Sequence, residues 1–407
     1  MFRPKPLNEA VAAALGAALL LIVGVVPLSD LGEVWRANSN VLFFFFGLMV
    51  ISTIADQSGF FEWCALIAVK VAKGNGSVLF STVFALGALL TAFFSNDATA
   101  LILTPIVFSL VSRLKLNPIP YVFACAFVAN TASMLLPVSN PVNLLAVGRF
   151  DLTLGDYLRH LLLPSLLLLF ANWLIFGLIF RRSISSYRPN GEALPSITLD
   201  RFFSWVCVGL VLTALGYIWV SIYGLPLSYP ALGGASFLLL VSVFTGRFRW
   251  RKVVSGLSWQ IFVFIFALAL LVKGLDNSGA TDAIARGLAQ LESHGDFLAL
   301  ISVTVSTALG SNLMNNWPMM LVSVSSLGST AAPDAHSVLV YGAVIGADIG
   351  PNIAVLGSLS SMLWLVCLRQ RGLEIHPLDY LKLGLRVAPV LIGVGILALA
   401  LSSRIFG

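Results

Sequence analysis

Long apolar runs, separated by short polar or basic segments, recur along the whole chain. They lie near residues 8–27, 40–56, 78–95, 98–112, 119–148, 157–180, 202–222, 227–246, 259–275, 297–313, 317–328, 337–367 and 383–403. A helix needs about 20 apolar residues to cross a hydrocarbon core about 30 Å thick. The pattern therefore predicts an all-α polytopic membrane protein. Several runs do not read as single straight helices. Runs 78–95 and 98–112 are joined only by Ser95-Asn96-Asp97, and runs 297–313 and 317–328 meet at Asn315-Asn316 before Pro318. Neither junction leaves room for an aqueous loop, so each pair (about 78–112 and 297–328) predicts a re-entrant helical hairpin with a polar tip. Non-helical backbone at that depth survives only where protein or a watery cavity surrounds it.

Two other runs carry helix breakers. In "ANTASMLLPVSNPVNLL", Pro137 and Pro141 flank Ser139 and Asn140; in "GADIGPNIAVLGSLSS", Gly350-Pro351 follows Asp348. Proline removes a helical donor and clashes with the preceding turn, so runs 119–148 and 337–367 are predicted to be broken transmembrane helices. About seven ordinary spans complete the count.

The chain also repeats itself. Asp56-Gln57-Ser58-Gly59 aligns with Asp276-Asn277-Ser278-Gly279, Asn96 with Asn315, and Asn130 with Asp348, at nearly constant spacing. Residues 1–182 and 227–404 are thus expected to be two repeats, with 183–226 holding a cytoplasmic linker and one unpaired span. That odd span starts the two halves on opposite sides of the membrane, which makes the repeats inverted. Inverted repeats with discontinuous helices are the pattern of secondary transporters, whose substrate site lies at mid-membrane between the repeats.

Composition agrees. Hydrophobic residues make up 58% of the chain and charged residues 10%, against about 25% charged in a soluble domain. The net charge of +6 reflects topology rather than nucleic-acid binding, because the basic residues sit at the ends of apolar runs. With the amino terminus in the cytoplasm, only Arg36, Arg149, Arg159, Lys273, Arg286 and Arg404 of the 24 Lys and Arg lie outside, as the positive-inside rule requires. The apolar run after "MFRPKPLNEA" reads as the first span and not as a cleaved signal. Cys64, Cys125, Cys207 and Cys367 are far apart and form no CxxC pair, so neither a disulfide framework nor a thiolate cluster is expected.

Of the 18 acidic residues, only Asp97 and Asp348 are placed deep in the membrane. A carboxylate there is costly, and it marks a functional site by default. The hairpin tips and broken helices would bring Asn96, Asp97, Asn130, Thr131, Ser139, Asn140 and Asn143 from the first half toward Asn312, Asn315, Asn316, Asp348 and Asn352 from the second. Such a set is rich in neutral donors and acceptors and suits a small, uncharged, hydroxylated solute. The two carboxyls supply what a proton antiporter needs at minimum. Some of the asparagines are expected only to cap the helix breaks. Asp56 and Asp276 are expected to cap helix ends, and His160, His294, His336 and His376 to be interfacial. "FFEWCALIAVKVAKGNG" reads as an interfacial helix, with "TDAIARGLAQLESHG" its counterpart outside.

"DQSGFFEW", "SNDATALILTPIV", "NTASMLLPVSNPVNL", "LSWQIFVF", "LMNNWPMMLV" and "GADIGPNIAVLGSLSSMLW", taken together and in order, resemble the ArsB-type arsenite efflux proteins of the ion transporter superfamily. The resemblance implies export of trivalent arsenite and antimonite from the cytoplasm, across a bacterial inner membrane, by proton antiport. It also implies, for some members, a soluble ATPase subunit, and no cofactor. The family motifs fall on Asn96, Asp97, Asn315, Asn316 and Asp348. The chain has Ser95-Asn96-Asp97-Ala98 where many members have Ala-Asn-Asp-Gly, and Asn352 where some have a lysine. Neutral arsenite trihydroxide resembles a small polyol, and a site without clustered thiolates lets it go again.

Alternative readings are a sodium/proton antiporter or an organic-anion carrier of the same superfamily. The tips carry no Ser-Asn-Thr pair and no deep Lys or Arg, which disfavours the anion carrier. An intramembrane enzyme is more remote, since no GxSxG, HExxH or DxxxD pattern is present.

Overall fold

A computed structural model of the chain describes residues 9–184, 199–223, 225–257, 259–279, 286, 295–328 and 336–406. Among these residues the only regular elements are helices, and six helices are long and apolar enough to cross a membrane. The expected hairpins are present. In the first, Gly76–Phe94 leads to Ser95, and the chain turns straight into a returning arm formed by Asn96–Ala98, a π-helical stretch Thr99–Leu103, and Thr104–Arg113. In the second, Asp296–Met314 leads through Asn315 into Asn316–Gly328. Both broken helices are broken. Ile119–Thr131 passes through the short 3-10 turns Ala132–Met134 and Pro137–Ser139 into Pro141–Arg149. His336–Ile349 passes through Gly350–Asn352 and Val355–Gly357 into Leu359–Gln370.

The hairpins and the broken helices of the two halves correspond. The leading arms are 19 residues each. The chain turns at Ser95 with φ 93° and ψ 158°, and at Asn315 with φ 81° and ψ 153°. Few non-glycine residues adopt this conformation, which costs about 1–3 kcal/mol. The correspondence corrects one register. Ser95, not Asn96, is the structural equivalent of Asn315, so Asn96 pairs with Asn316. A polar residue on either side of each turn made the sequence alignment ambiguous by one position, and the positive φ resolves it.

Packing crosses between the halves. Glu9–Val23 lies against Trp259–Asn277, and Asp30–Gln57 lies against Ser228–Phe244. Each half's second long helix thus packs on the other half's first. The long helices Leu154–Ile179 and Pro377–Phe406 pack together and flank both broken helices. At Gly384 the second of these approaches the second break so closely that a Cβ would collide with the carbonyl oxygens of Asn352 and Ile353. Backbone cannot yield as a flexible side chain does. Gly384→Ala should therefore cost about 1–3 kcal/mol, seen as a lower melting temperature of the purified protein in detergent.

The segment expected to be interfacial forms the helix Phe60–Ala72, on which Ile67 and Val71 are exposed. Asp276 accepts a hydrogen bond from Ser325 Oγ at 2.5 Å, tying Trp259–Asn277 to the second hairpin. His160 stacks on Tyr341 with ring centroids 4.4 Å apart. Arg3, Lys5 and Arg188, His294, and most of the expected outer segment 281–295 and of the linker 183–201 lie outside the described residues.

Candidate functional site

A helix broken inside a membrane strands backbone groups that water cannot reach, and each costs free energy unless a side chain meets it. At the first break, Met134 O accepts from Tyr157 OH at 3.1 Å and from Ser165 Oγ at 3.2 Å. Ser139 Oγ donates to Ala92 O at 3.0 Å, which docks the break on the first hairpin just below its tip. At the second break, Tyr380 OH donates to Pro351 O at 3.3 Å, and Asn312 Nδ2 donates to Gly350 O at 2.8 Å. Asn312 Oδ1 accepts from Ala354 N at 3.0 Å, while Asn315 Nδ2 reaches Leu356 O at 3.4 Å. Ser139, Asn312 and Asn315 therefore hold backbone in place.

The broken helices then clasp each other reciprocally. Asn140 and Ser358 cap the helices that resume after each break, accepting from Val142 N and Ser361 N. Asp348 reaches across to the first half, accepting from Asn140 Nδ2 at 2.6 Å and Asn143 Nδ2 at 3.1 Å. Its equivalent, Asn130, reaches across to the second half. It donates to Ser361 Oγ at 3.1 Å and accepts from Ser358 Oγ at 3.2 Å. Positions 130 and 348, 140 and 358, and 143 and 361 share one spacing, so the same clasp is made twice. Asn130 Nδ2 also meets Asn352 Oδ1 at 3.1 Å, and Asn352 Nδ2 meets Thr131 Oγ1 at 3.3 Å. Asn352, at the position where some relatives are expected to carry lysine, closes this network.

Against these committed groups, the hairpin tips hold side chains that are buried yet unoccupied. Asn96 and Asp97 are 3% and 9% exposed and Asn316 is 3% exposed. Asn96 Oδ1 accepts from Asp97 N at 3.0 Å. Among the described residues the Asp97 carboxylate is met by one side chain, the Ser360 hydroxyl, and Asn316 uses neither end of its amide. Asn143 Oδ1 beside Asp348 is buried and free. Buried polar groups are normally satisfied. The donors and acceptors left unsatisfied at the hairpin tips and beside Asp348 are where a polar solute or proton can be accommodated at least cost.

The twelve candidate residues thus separate into groups. Asn130, Thr131 and Asn352 form one network, and Asp348, Asn140 and Asn143 form another. Ser139, Asn312 and Asn315 brace backbone, while Asn96, Asp97 and Asn316 stand uncommitted at the tips. No direct hydrogen bond joins Asp97 to the Asp348 group. Sequence reasoning missed Ser358, Ser360 and Ser361, which sit in the small-residue run "GSLSS". It also missed Tyr157 and Tyr380. Those two carried a readable signal: the tripeptide Asp-Tyr-Leu occurs at 156–158 and again at 379–381, near the start of the two flanking helices. Among the described residues no group of three or more His, Cys, Asp or Glu is placed to hold a metal ion.

The sequence profile of a family described as "Arsenical pump membrane protein" matches residues 1–401. The chain belongs to this ArsB family. Its relatives include an "Arsenical pump membrane protein" of Escherichia coli, 34% identical over 98% of this chain and 95% of that protein. A "Putative arsenical pump membrane protein" of Bacillus subtilis (strain 168) is 28% identical, over 96% of this chain and 93% of its own length. Among solved structures, the YdaH transporter of Alcanivorax borkumensis aligns with a TM-score of 0.66 at 16% identity, covering 97% of this chain and 98% of that one. At that identity the likeness concerns the fold alone. The matched range includes the hairpin tips and both breaks.

Proposed function

We propose that this chain exports trivalent arsenite and antimonite from the cytoplasm, as neutral trihydroxides, in exchange for protons. The observation that carries the reading is the Asp97 carboxylate, buried at a hairpin tip with only the Ser360 hydroxyl against it, in a chain of the arsenical pump family. On this reading the ionised Asp97 accepts hydrogen bonds from the hydroxyls of the solute, with Asn96, Asn316 and Ser360 completing the ring of donors and acceptors. When the solute leaves, a proton takes its place on the carboxyl, so the site is never left empty and charged. Asp348 is the second proton-bearing group. Its protonation removes the acceptor for Asn140 or Asn143 and loosens one of the two clasps between the halves. Solute and proton then compete for one group, which is the simplest form of obligatory exchange.

The repeats that rock against each other are, in this account, 1–182 and 227–404, joined by 183–226, a cytoplasmic linker followed by the unpaired span. The protein sits in the bacterial inner membrane with its amino terminus inside. A proton gradient suffices to drive it without an ATPase subunit. The test is arsenic retention in cells stripped of their own arsenical exporters and carrying this chain. Cells preloaded with arsenite should lose it severalfold faster than empty-vector cells, and a protonophore should remove the difference even while ATP is held constant. Arsenic retention equal to the vector control, with sodium extrusion instead, would replace the reading with that of a sodium/proton antiporter.

A further inference from the structure

Away from the breaks, a cavity of about 210 Å³ opens at the basic end of the first hairpin. A single water needs only about 10–15 Å³ of such space, so this one takes a substantial group. It lies between the interfacial helix Phe60–Ala72, the last part of the hairpin's returning arm, and the end of Leu359–Gln370. On the returning arm its lining runs from Pro105 to Arg113 along one helix face, a length of about 12 Å. Three of its lining residues are charged: Glu62, Arg113 and Arg371. All three are exposed, and none makes an ion pair or a side-chain hydrogen bond with another described residue. Between and below them the lining is apolar, with Leu66, Ile106 and Leu110 prominent.

We infer that this cavity binds an aminophospholipid of the adjoining leaflet, with its phosphate on Arg113 and Arg371 and its primary ammonium on Glu62. Two guanidiniums match a phosphodiester by charge and by their fork of donors. The lone carboxylate among them has no protein partner and matches an ammonium that can donate hydrogen bonds. Leu66, Ile106 and Leu110 cover the start of the acyl chains. The outward-facing Ile67 and Val71 of the interfacial helix place the cavity at the membrane surface, where such a lipid is present at high local concentration. A passage for a polyhydroxylated solute would need polar walls, whereas this lining is predominantly apolar away from its three charges. The site is independent of what the transporter carries, and it holds the same arm that begins at Asn96 and Asp97.

The test is native mass spectrometry of the full-length protein after equilibration with vesicles of equal parts phosphatidylethanolamine, phosphatidylcholine and phosphatidylglycerol. Phosphatidylethanolamine should be retained about tenfold over phosphatidylcholine, the weight of one charge-assisted hydrogen bond. Arg113→Gln with Arg371→Gln should bring retention to background. Glu62→Gln should keep the phosphate but erase the preference for phosphatidylethanolamine over phosphatidylcholine. Because Glu62→Gln alters one exposed side chain, it tests the inference even if the double variant is poorly folded. Unchanged lipid retention in both variants would overturn the inference. So would displacement of the lipid by millimolar inorganic phosphate or soluble phosphoethanolamine, which would assign the cavity to a soluble ligand.

Discussion

Asp97→Asn should abolish gradient-driven arsenite transport while leaving the protein folded. The substitution keeps the shape of the side chain and removes the charge and the exchangeable proton. Because the only side chain against the carboxylate is the Ser360 hydroxyl, which an asparagine oxygen can still accept from, little structure is lost, and an uncharged group at this depth is cheaper to bury. The melting temperature should match or exceed that of the parent. Transport should fall by about 100-fold or more, the lower end of what a positioned proton-transferring side chain contributes. The two readings separate clearly in one preparation, as flux in proteoliposomes and thermal unfolding in detergent. A variant that melts normally but still transports at the parent rate would remove Asp97 from the mechanism. Ser360→Ala is the milder companion, since it deletes the one hydroxyl set against Asp97. It should weaken arsenite affinity and leave stability unchanged.

The opposite behaviour is expected at Asp348. Asp348→Leu strips the acceptor from Asn140 Nδ2 and from Asn143 Nδ2 in a place water does not reach. Each buried donor left without a partner costs about 1–3 kcal/mol. Asn143 keeps its bond to Ser133 O at 2.8 Å, so Asn140 bears most of the loss. One of the two clasps between the halves goes with it. We expect a loss of about 2–5 kcal/mol, seen as a marked fall in melting temperature and in yield. Asp348→Asn, which can still accept one bond, should fall between. A normal melting temperature for Asp348→Leu would show that the clasp does not hold the halves together. Equal losses of stability at Asp97 and Asp348 would dissolve the distinction between an uncommitted and a committed carboxylate.

Much of this architecture was legible before any coordinates. Proline and glycine inside apolar runs located both breaks, because a broken backbone in a membrane has few chemical signatures and these are the strongest. Asparagine and aspartate at junctions too short for loops located both tips. What remained hidden follows from the same physics. An asparagine that caps a break and one that awaits a solute look alike in sequence, since both are polar residues in apolar surroundings; only their partners distinguish Asn312 from Asn316. The alignment of Asn96 with Asn315 was off by one because the turn itself is set by backbone angles, and Ser95 and Asn315 share those angles without sharing a residue type. Tyr157 and Tyr380 were overlooked because a tyrosine near a span end reads as an interfacial anchor. Their hydroxyls instead reach inward to the stranded carbonyls of Met134 and Pro351.

The central claim, arsenite exchanged for protons, is tested most directly by uptake of arsenite into everted membrane vesicles. The vesicles contain this chain and no ATP, and an inward-acid proton gradient is imposed across them. The account predicts arsenite accumulation against its concentration gradient, collapse of the accumulated pool on adding a protonophore, and no accumulation with Asp97→Asn. Vesicles that hold the proton gradient yet take up no more arsenite than protein-free controls would contradict it.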